Sequence, residues 1–142
     1  MTQPHDSDCI FCKIISREVP AAIIYEDEST IAFMDAFPSS EGHALVVPKA
    51  HHPNLFTISA EALQAASALT QRLAQAQMQA LQPDGIIVSQ FNGEAAGQTV
   101  FHYHVHVVPR WQGQDPAVHG RSQGDPSALK QTAAKLAAEL EG

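Results

Sequence analysis

His102-Tyr103-His104-Val105-His106 places an imidazole at every second position, and Val107-Val108-Pro109-Arg110 follows at once. Alternation of this kind is a β-strand pattern, because successive side chains leave a strand on opposite faces. Phe101, Tyr103, Val105 and Val107 at the intervening positions are aromatic or β-branched, which suits a strand and fills its other face. The segment predicts a strand with three imidazoles on one face. Three adjacent rings cannot all carry charge at low cost, so the face calls for a chemical reason. Three readings compete: packing or surface histidines, a three-imidazole metal site, and nucleophilic or acid–base work by neutral imidazole.

The rest of the chain supplies a sheet and helices around that strand. Cys9 to Ile15 fits one short helical turn. Ala22–Glu26 and Thr30–Met34 read as strands about a turn at Asp27-Glu28-Ser29, and Ala44–Val47 as a third strand ended by Pro48. Ser59 caps a long helix whose Ala62, Ala66, Leu69, Leu73, Ala76 and Ala80 share one face. Pro83-Asp84-Gly85 ends that helix, Ile86–Ser89 is a fourth strand, and Asn92–Gln98 is a loop. Asp125-Pro126 starts a last helix with Leu129, Thr132, Leu136 and Leu140 inward. Residues 1–8 are polar and expected to fray, and Gln112–Gly124 is a loop with no clear period. Strands joined by short turns imply a mostly antiparallel sheet with helices packed on it, an α+β fold.

At 142 residues the chain fits a single domain, 1–142. A net charge of −7 argues against a nucleic-acid polymer as partner. No apolar run approaches a membrane span, and the N-terminus lacks the features of a signal peptide, which predicts a cytoplasmic protein. In that compartment Cys9 and Cys12 are expected as thiols or metal ligands. Alone, Cys-x-x-Cys also suits a redox pair, but no thioredoxin-like βαβ context follows it.

Gly97-Gln98-Thr99-Val100-Phe101-His102-Tyr103-His104-Val105-His106-Val107-Val108-Pro109-Arg110 closely resembles the signature of the histidine triad (HIT) family, His-φ-His-φ-His-φ-φ with φ apolar. Tyr103 is only partly apolar, a mild departure. Asp8–Ile15, Val19-Pro20, Tyr25-Glu26-Asp27, Ala32–Asp35 and Gly42–Lys49 are similar to the family's N-terminal half, so the resemblance covers most of residues 8–111. It implies a HIT-like fold: a five-stranded antiparallel sheet with one long helix and a C-terminal helix, core 8–111, and loop and helix 112–142. It also implies a homodimer with a continuous ten-stranded sheet.

The same resemblance implies site roles. His104 maps to the nucleophile that attacks the α-phosphorus of a nucleotide, giving a nucleotidyl-histidine that water hydrolyses. Such a ring must be neutral with a fixed tautomer, which a hydrogen bond from Nδ1 to a backbone carbonyl would supply. His106 maps to a hydrogen-bond donor to the non-bridging phosphate oxygens, Gln98 and Thr99 to contacts with phosphate and leaving group, and Asn92 to the same region. A plain turn is the alternative for Asn92-Gly93. Asp35 maps to the acid that binds both ribose hydroxyls, and Ile10, Phe11 and Phe33 to the walls of a base slot. Read without the resemblance, those three are core residues. In relatives with the N-terminal cysteine pair, a histidine after Pro-Lys-x and the first triad histidine complete a structural zinc site; here these are Cys9, Cys12, His51 and His102. His52 is the rival for His51, and His5, His43 and His119 receive no chemical role.

The implied activity is hydrolysis at the α-phosphate of a purine nucleoside phosphoramidate or a dinucleoside polyphosphate. Arg110-Trp111-Gln112-Gly113 lacks the Trp-Pro-Pro-Gly ending of the best-known phosphoramidases, so their preference transfers weakly. Alternatives are a nucleotide-binding or interaction protein with weak turnover, a nucleotidylyltransferase, and a metalloprotein with zinc on all three triad histidines.

Overall fold

In the computed structural model, residues 5–114 and 122–141 are described, so His119 and the middle of the 112–124 loop lie outside them. Five strands, β1 (Ile23–Glu26), β2 (Thr30–Met34), β3 (Ala44–Pro48), β4 (Gly85–Ser89) and β5 (Val105–Arg110), form one sheet in the order β1-β2-β3-β5-β4. Every neighbouring pair is antiparallel. Among the described residues, three α-helices accompany them: α1 (Ile10–Ile15), α2 (Ala60–Leu81) and α3 (Pro126–Glu141). None of these helices is long and apolar enough to cross a membrane.

Local chemistry explains the element ends. Asp27 Oδ1 accepts from the N–H groups of Ser29 and Thr30 at 2.9 and 2.8 Å and from the Thr30 hydroxyl, which closes the β1–β2 turn. Ser59 Oγ accepts from Ala62 N–H at 3.1 Å and caps α2. That helix stops at Gln82, whose φ of 52° is left-handed, immediately before Pro83.

The central strands β2 and β3 are buried along their whole length because both faces of the sheet are covered. One face carries Ala32, Met34, Val46, Val105 and Val107 beneath Leu69 and Leu73 of α2 and Leu136 of α3. Each such buried leucine contributes roughly 1.5–3 kcal/mol by leaving water. The other carries Ile31, Phe33, Leu45 and Val47 against Phe11 and Ile14 of α1. A six-residue helix does not persist alone, so α1 depends on this packing.

The expected histidine strand is shorter than its alternation suggested. Regular pairing begins only at Val105, which leaves His102 and His104 ahead of the strand. Tyr103 N–H instead donates to the His52 carbonyl at 2.7 Å, so the chain leaves the sheet toward the segment after β3. Residues 5–8 are exposed, yet Asp6 is engaged: its N–H approaches Cys12 Sγ at 3.4 Å.

Candidate active site and metal centre

α1, the end of β2 and the start of β5 converge on a cavity of about 990 Å3. Of the nine residues assigned to nucleotide binding, Ile10, Phe11, Phe33, Asp35, Thr99, His104 and His106 line it. Phe11 packs edge-on against Phe33 and His104, with ring centroids 5.5 and 4.9 Å apart. Gln98 and Asn92 stand outside the lining. Gln98 is buried and holds backbone: its Oε1 accepts from Gly93 N–H, and its Nε2 donates to the carbonyls of Pro53 and Val100. Asn92 Oδ1 accepts from Leu55 N–H at 2.7 Å, and its amide pairs with Gln90. The stretch from Gln123 to Lys130, which leads into α3, also forms a wall of the cavity, and no signal in the sequence indicated it.

Two of the triad histidines, His102 and His104, are held by carbonyls that fix where their hydrogens sit. His104 Nδ1–H donates to the His102 carbonyl at 2.7 Å, so Nε2 of the neutral ring carries the lone pair. His102 Nε2–H donates to the Pro48 carbonyl at 2.7 Å, so its lone pair is on Nδ1. Burial lowers the His102 pKa to about 4, against the Pro48 carbonyl, which favours the proton; the ring is neutral at pH 7.

His43, given no role from sequence, is fully buried beside His106. Ser39 N–H donates to His43 Nδ1 at 3.0 Å, which leaves the neutral ring's hydrogen on Nε2. Nε2 lies 3.0 Å from His106 Nδ1 and 3.3 Å from Asp35 Oδ2. With His43 donating, His106 Nδ1 is an acceptor and its hydrogen is on Nε2. Asp35, His43 and His106 bring ligand-type atoms within 4.8 Å of one another. Because the Ser39 bond keeps hydrogen on His43 Nε2, that set is a hydrogen-bond relay rather than a cation cradle. The only sequence signal was the shared parity of His43, Leu45 and Val47, and it has force only once β3 is paired with β5.

Cys9, Cys12, His51 and His102 form a possible metal-binding group, with ligand atoms all within 4.8 Å of one another. Tetrahedral zinc, at about 2.3 Å from sulfur and about 2.0–2.1 Å from nitrogen, requires S···N separations near ~3.6 Å and N···N near ~3.3 Å. The structure has Cys9 Sγ–His102 Nδ1 at 3.4 Å, Cys12 Sγ–His51 Nδ1 at 3.4 Å, Cys12 Sγ–His102 Nδ1 at 3.6 Å and Nδ1–Nδ1 at 3.2 Å. The donor set fits zinc. Cys12 N–H points at Cys9 Sγ and Asp6 N–H at Cys12 Sγ, as suits sulfurs that carry negative charge. Burial, with Cys9 close by, pushes the metal-free Cys12 thiol up to about 11 despite the Asp6 N–H; a bound cation would reverse that preference. The Pro48-Lys49-Ala50-His51 spacing thus picks the histidine that the structure brings to the cysteines.

An antiparallel sheet that sets one row of histidines between a cysteine pair and an apolar cavity defines a class of small α+β proteins. Residues 16–113 match the HIT domain family model, and the chain belongs to the HIT family. A Saccharomyces cerevisiae relative named adenosine 5′-monophosphoramidase HNT1 is 37% identical over 139 residues, 96% of this chain and 85% of that protein. An Arabidopsis thaliana relative named adenylylsulfatase HINT3 is 38% identical over 104 residues, 73% of this chain and 53% of that one. Among solved structures, a HIT-like protein from Bartonella henselae superposes with TM-score 0.87 at 38% identity, covering 95% of this chain and 98% of its own. A zinc-bound histidine triad protein from Mycobacterium smegmatis superposes with TM-score 0.82 at 36% identity, covering 94% and 93%.

Proposed function

We propose that the protein is a nucleotide hydrolase acting at the α-phosphate of a purine nucleoside phosphoramidate or a dinucleoside polyphosphate. The observation that carries this is the His104 Nδ1–H bond to the His102 carbonyl, which puts the lone pair of a neutral ring on Nε2 in a ring that lines the cavity. The two named relatives are a phosphoramidase and a sulfatase of adenylyl compounds. Their leaving groups differ and the adenylyl part is shared, which supports a hydrolase that holds the nucleotide and tolerates change in what departs.

Nε2 of His104 forms a bond to phosphorus as the bond to the amine or phosphate leaving group breaks. The electron pair goes with the leaving group, and a departing amine takes a proton from solvent as the bond breaks; the water that attacks in the second step returns a proton to solvent. The ring, now positive, keeps its Nδ1–H on the His102 carbonyl. Water then attacks phosphorus, the Nε2–P bond breaks, and the nucleoside monophosphate leaves with the ring neutral again. His106, with its hydrogen on Nε2, donates to the phosphoryl oxygens, and Asp35 takes the ribose hydroxyls. Ile10, Phe11 and Phe33 cover the faces of the base with apolar and aromatic surface. Thr99 meets the phosphate or leaving group. Gln98 serves by shaping the 93–100 loop, and Asn92 by joining that loop to Leu55; direct phosphate contact by either would require releasing a bond it now makes.

Zinc at Cys9, Cys12, His51 and His102 would supply folding energy by fastening α1 to the chain ahead of β5, and takes no part in the reaction. The whole chain acts as one domain. It works as a homodimer in the cytoplasm, where a cysteine pair serves as metal ligands.

The test is His104→Ala with a fluorogenic adenosine phosphoramidate, and with diadenosine tri- and tetraphosphate in parallel. Release of AMP is expected to fall at least about a thousandfold, with AMP binding retained. Turnover that survives the substitution would remove the nucleophile assignment. Wild-type protein that binds AMP but turns over none of the three would favour a nucleotide-binding role.

A further inference from the structure

Gln77 is a fully buried glutamine of α2, on a helix whose other buried residues, Ala66, Leu69, Leu73 and Ala76, are apolar, and it is remote in sequence from every residue assigned to the site. Its Nε2 donates two hydrogen bonds of 3.0 Å, one to the Gly42 carbonyl and one to the Val107 carbonyl. Two carbonyl acceptors fix the orientation of the amide, since only its NH2 can serve both. Its Oε1 meets no hydrogen-bond donor among the described residues. A buried carbonyl without a donor is costly, and an apolar side chain of similar shape would avoid that cost.

The sheet register shows what the amide replaces. β3 and β5 pair through Ala44 and Val107, Leu45 and His106, and Val46 and Val105. Two residues further out in the same register, Gly42 faces Pro109, which has no N–H to give. The two backbones are close there: a Cβ on Gly42, whose φ is +83°, would lie 3.1 Å from Pro109 Cγ and 2.4 Å from Leu81 Cδ1. The ladder thus loses a donor at Pro109, three residues beyond His106, opposite the carbonyl that Gly42 shares with the peptide of His43; the Val107 carbonyl that Gln77 also holds is one residue beyond His106. These histidines make the 3.0 Å contact that sets the hydrogen of His106 on Nε2.

We propose that Gln77 is a positioning residue: from α2 it supplies the donor that Pro109 lacks, clamping Gly42 to Val107 so that His43 and His106 stay in register. This rests on the role given to His106 above. Gln77→Leu is expected to lower kcat for the phosphoramidate about tenfold while the AMP dissociation constant changes less than about threefold. The 15N shifts of the His43 and His106 rings, recorded without substrate, should move toward mixed tautomers.

Leu136→Ala, a core truncation on α3 at 0% exposure, serves as the control for stability alone. It should lower the melting temperature and leave the ring signals in place. Pro109→Ala restores a backbone N–H opposite Gly42, so Gln77→Leu should cost less kcat in that background, and its ring signals should revert. Unchanged ring shifts in Gln77→Leu, an equal kcat loss in Leu136→Ala, or no rescue by Pro109→Ala would each overturn the proposal. The ring shifts and their rescue are read without turnover, so an inactive wild type would refute the hydrolase reading and leave this test intact. Should Gln77→Leu not fold, Pro109→Ala/Gln77→Leu folding with wild-type ring shifts supports the clamp, and its failure to fold overturns it.

Discussion

Asp27 shows how much a single side chain can organise. Burial works against its charge, but the N–H groups of Ser29 and Thr30 and the hydroxyls of Tyr25 and Thr30 outweigh that and hold its carboxyl below the usual range. A carboxylate with a lowered pKa in the folded state stabilises above its unfolded pKa, and that contribution disappears as pH falls through the folded value. Asp27→Ala is therefore expected to cost about 1 kcal/mol at pH 7. Urea unfolding of the two proteins should give that gap at pH 7, narrowing steadily below about pH 3.8. A gap that stays constant to pH 2 would exclude the charge as its source. This turn was legible in the sequence because its contacts span three residues. His43 was not, because its partner His106 lies 63 positions away and parity alone does not name a partner.

At the scale of elements, α1 links the metal group to the cavity. Cys9 caps it and Cys12 lies within it, while Ile10 and Phe11 from the same turn line the cavity. Six residues of helix have little stability of their own, so release of the cysteines should loosen the wall proposed for the base. Cys9→Ala is expected to reduce zinc from one per chain to near zero by elemental analysis, and to weaken AMP binding by about three- to tenfold in calorimetry. Zinc retained by Cys9→Ala would point to a site on the triad alone. The ligand types and the Cys-x-x-Cys and Pro-Lys-x-His spacings were visible in the sequence. That His102 would leave the strand to join them was not, because the alternating pattern continues past the point where Tyr103 bonds to His52 instead of a neighbouring strand.

For the whole molecule, the two sheet edges differ. β1 is guarded: Glu26 pairs with Lys49 and Arg17, and Arg72 lies over the Tyr25 ring. β4 leaves Ile87 and Val88 at 42% and 54% exposure on a strand with one neighbour, the kind of edge that a second sheet covers. The homodimer proposed above is expected to join through β4. Sedimentation should then give twice 15.3 kDa for the wild type and a monomer for Val88→Lys. A Val88→Lys protein that still sediments as a dimer would move the interface elsewhere.

What the sequence determined alone was everything enforced within a few residues: the pleat alternation, the Asp27 turn, the Ser59 cap, the helix faces, and the residue types for the proposed metal group and nucleophile. These follow from backbone geometry and hold wherever the segment ends up. The tertiary structure alone decided which rings touch, which carbonyls hold His102 and His104, that the approach to α3 walls the cavity, and that Gln77 meets Gly42 and Val107. Each of those depends on register between strands or on a helix packed across them. A one-residue slip would send the same side chains to the opposite face, and no local pattern records that choice.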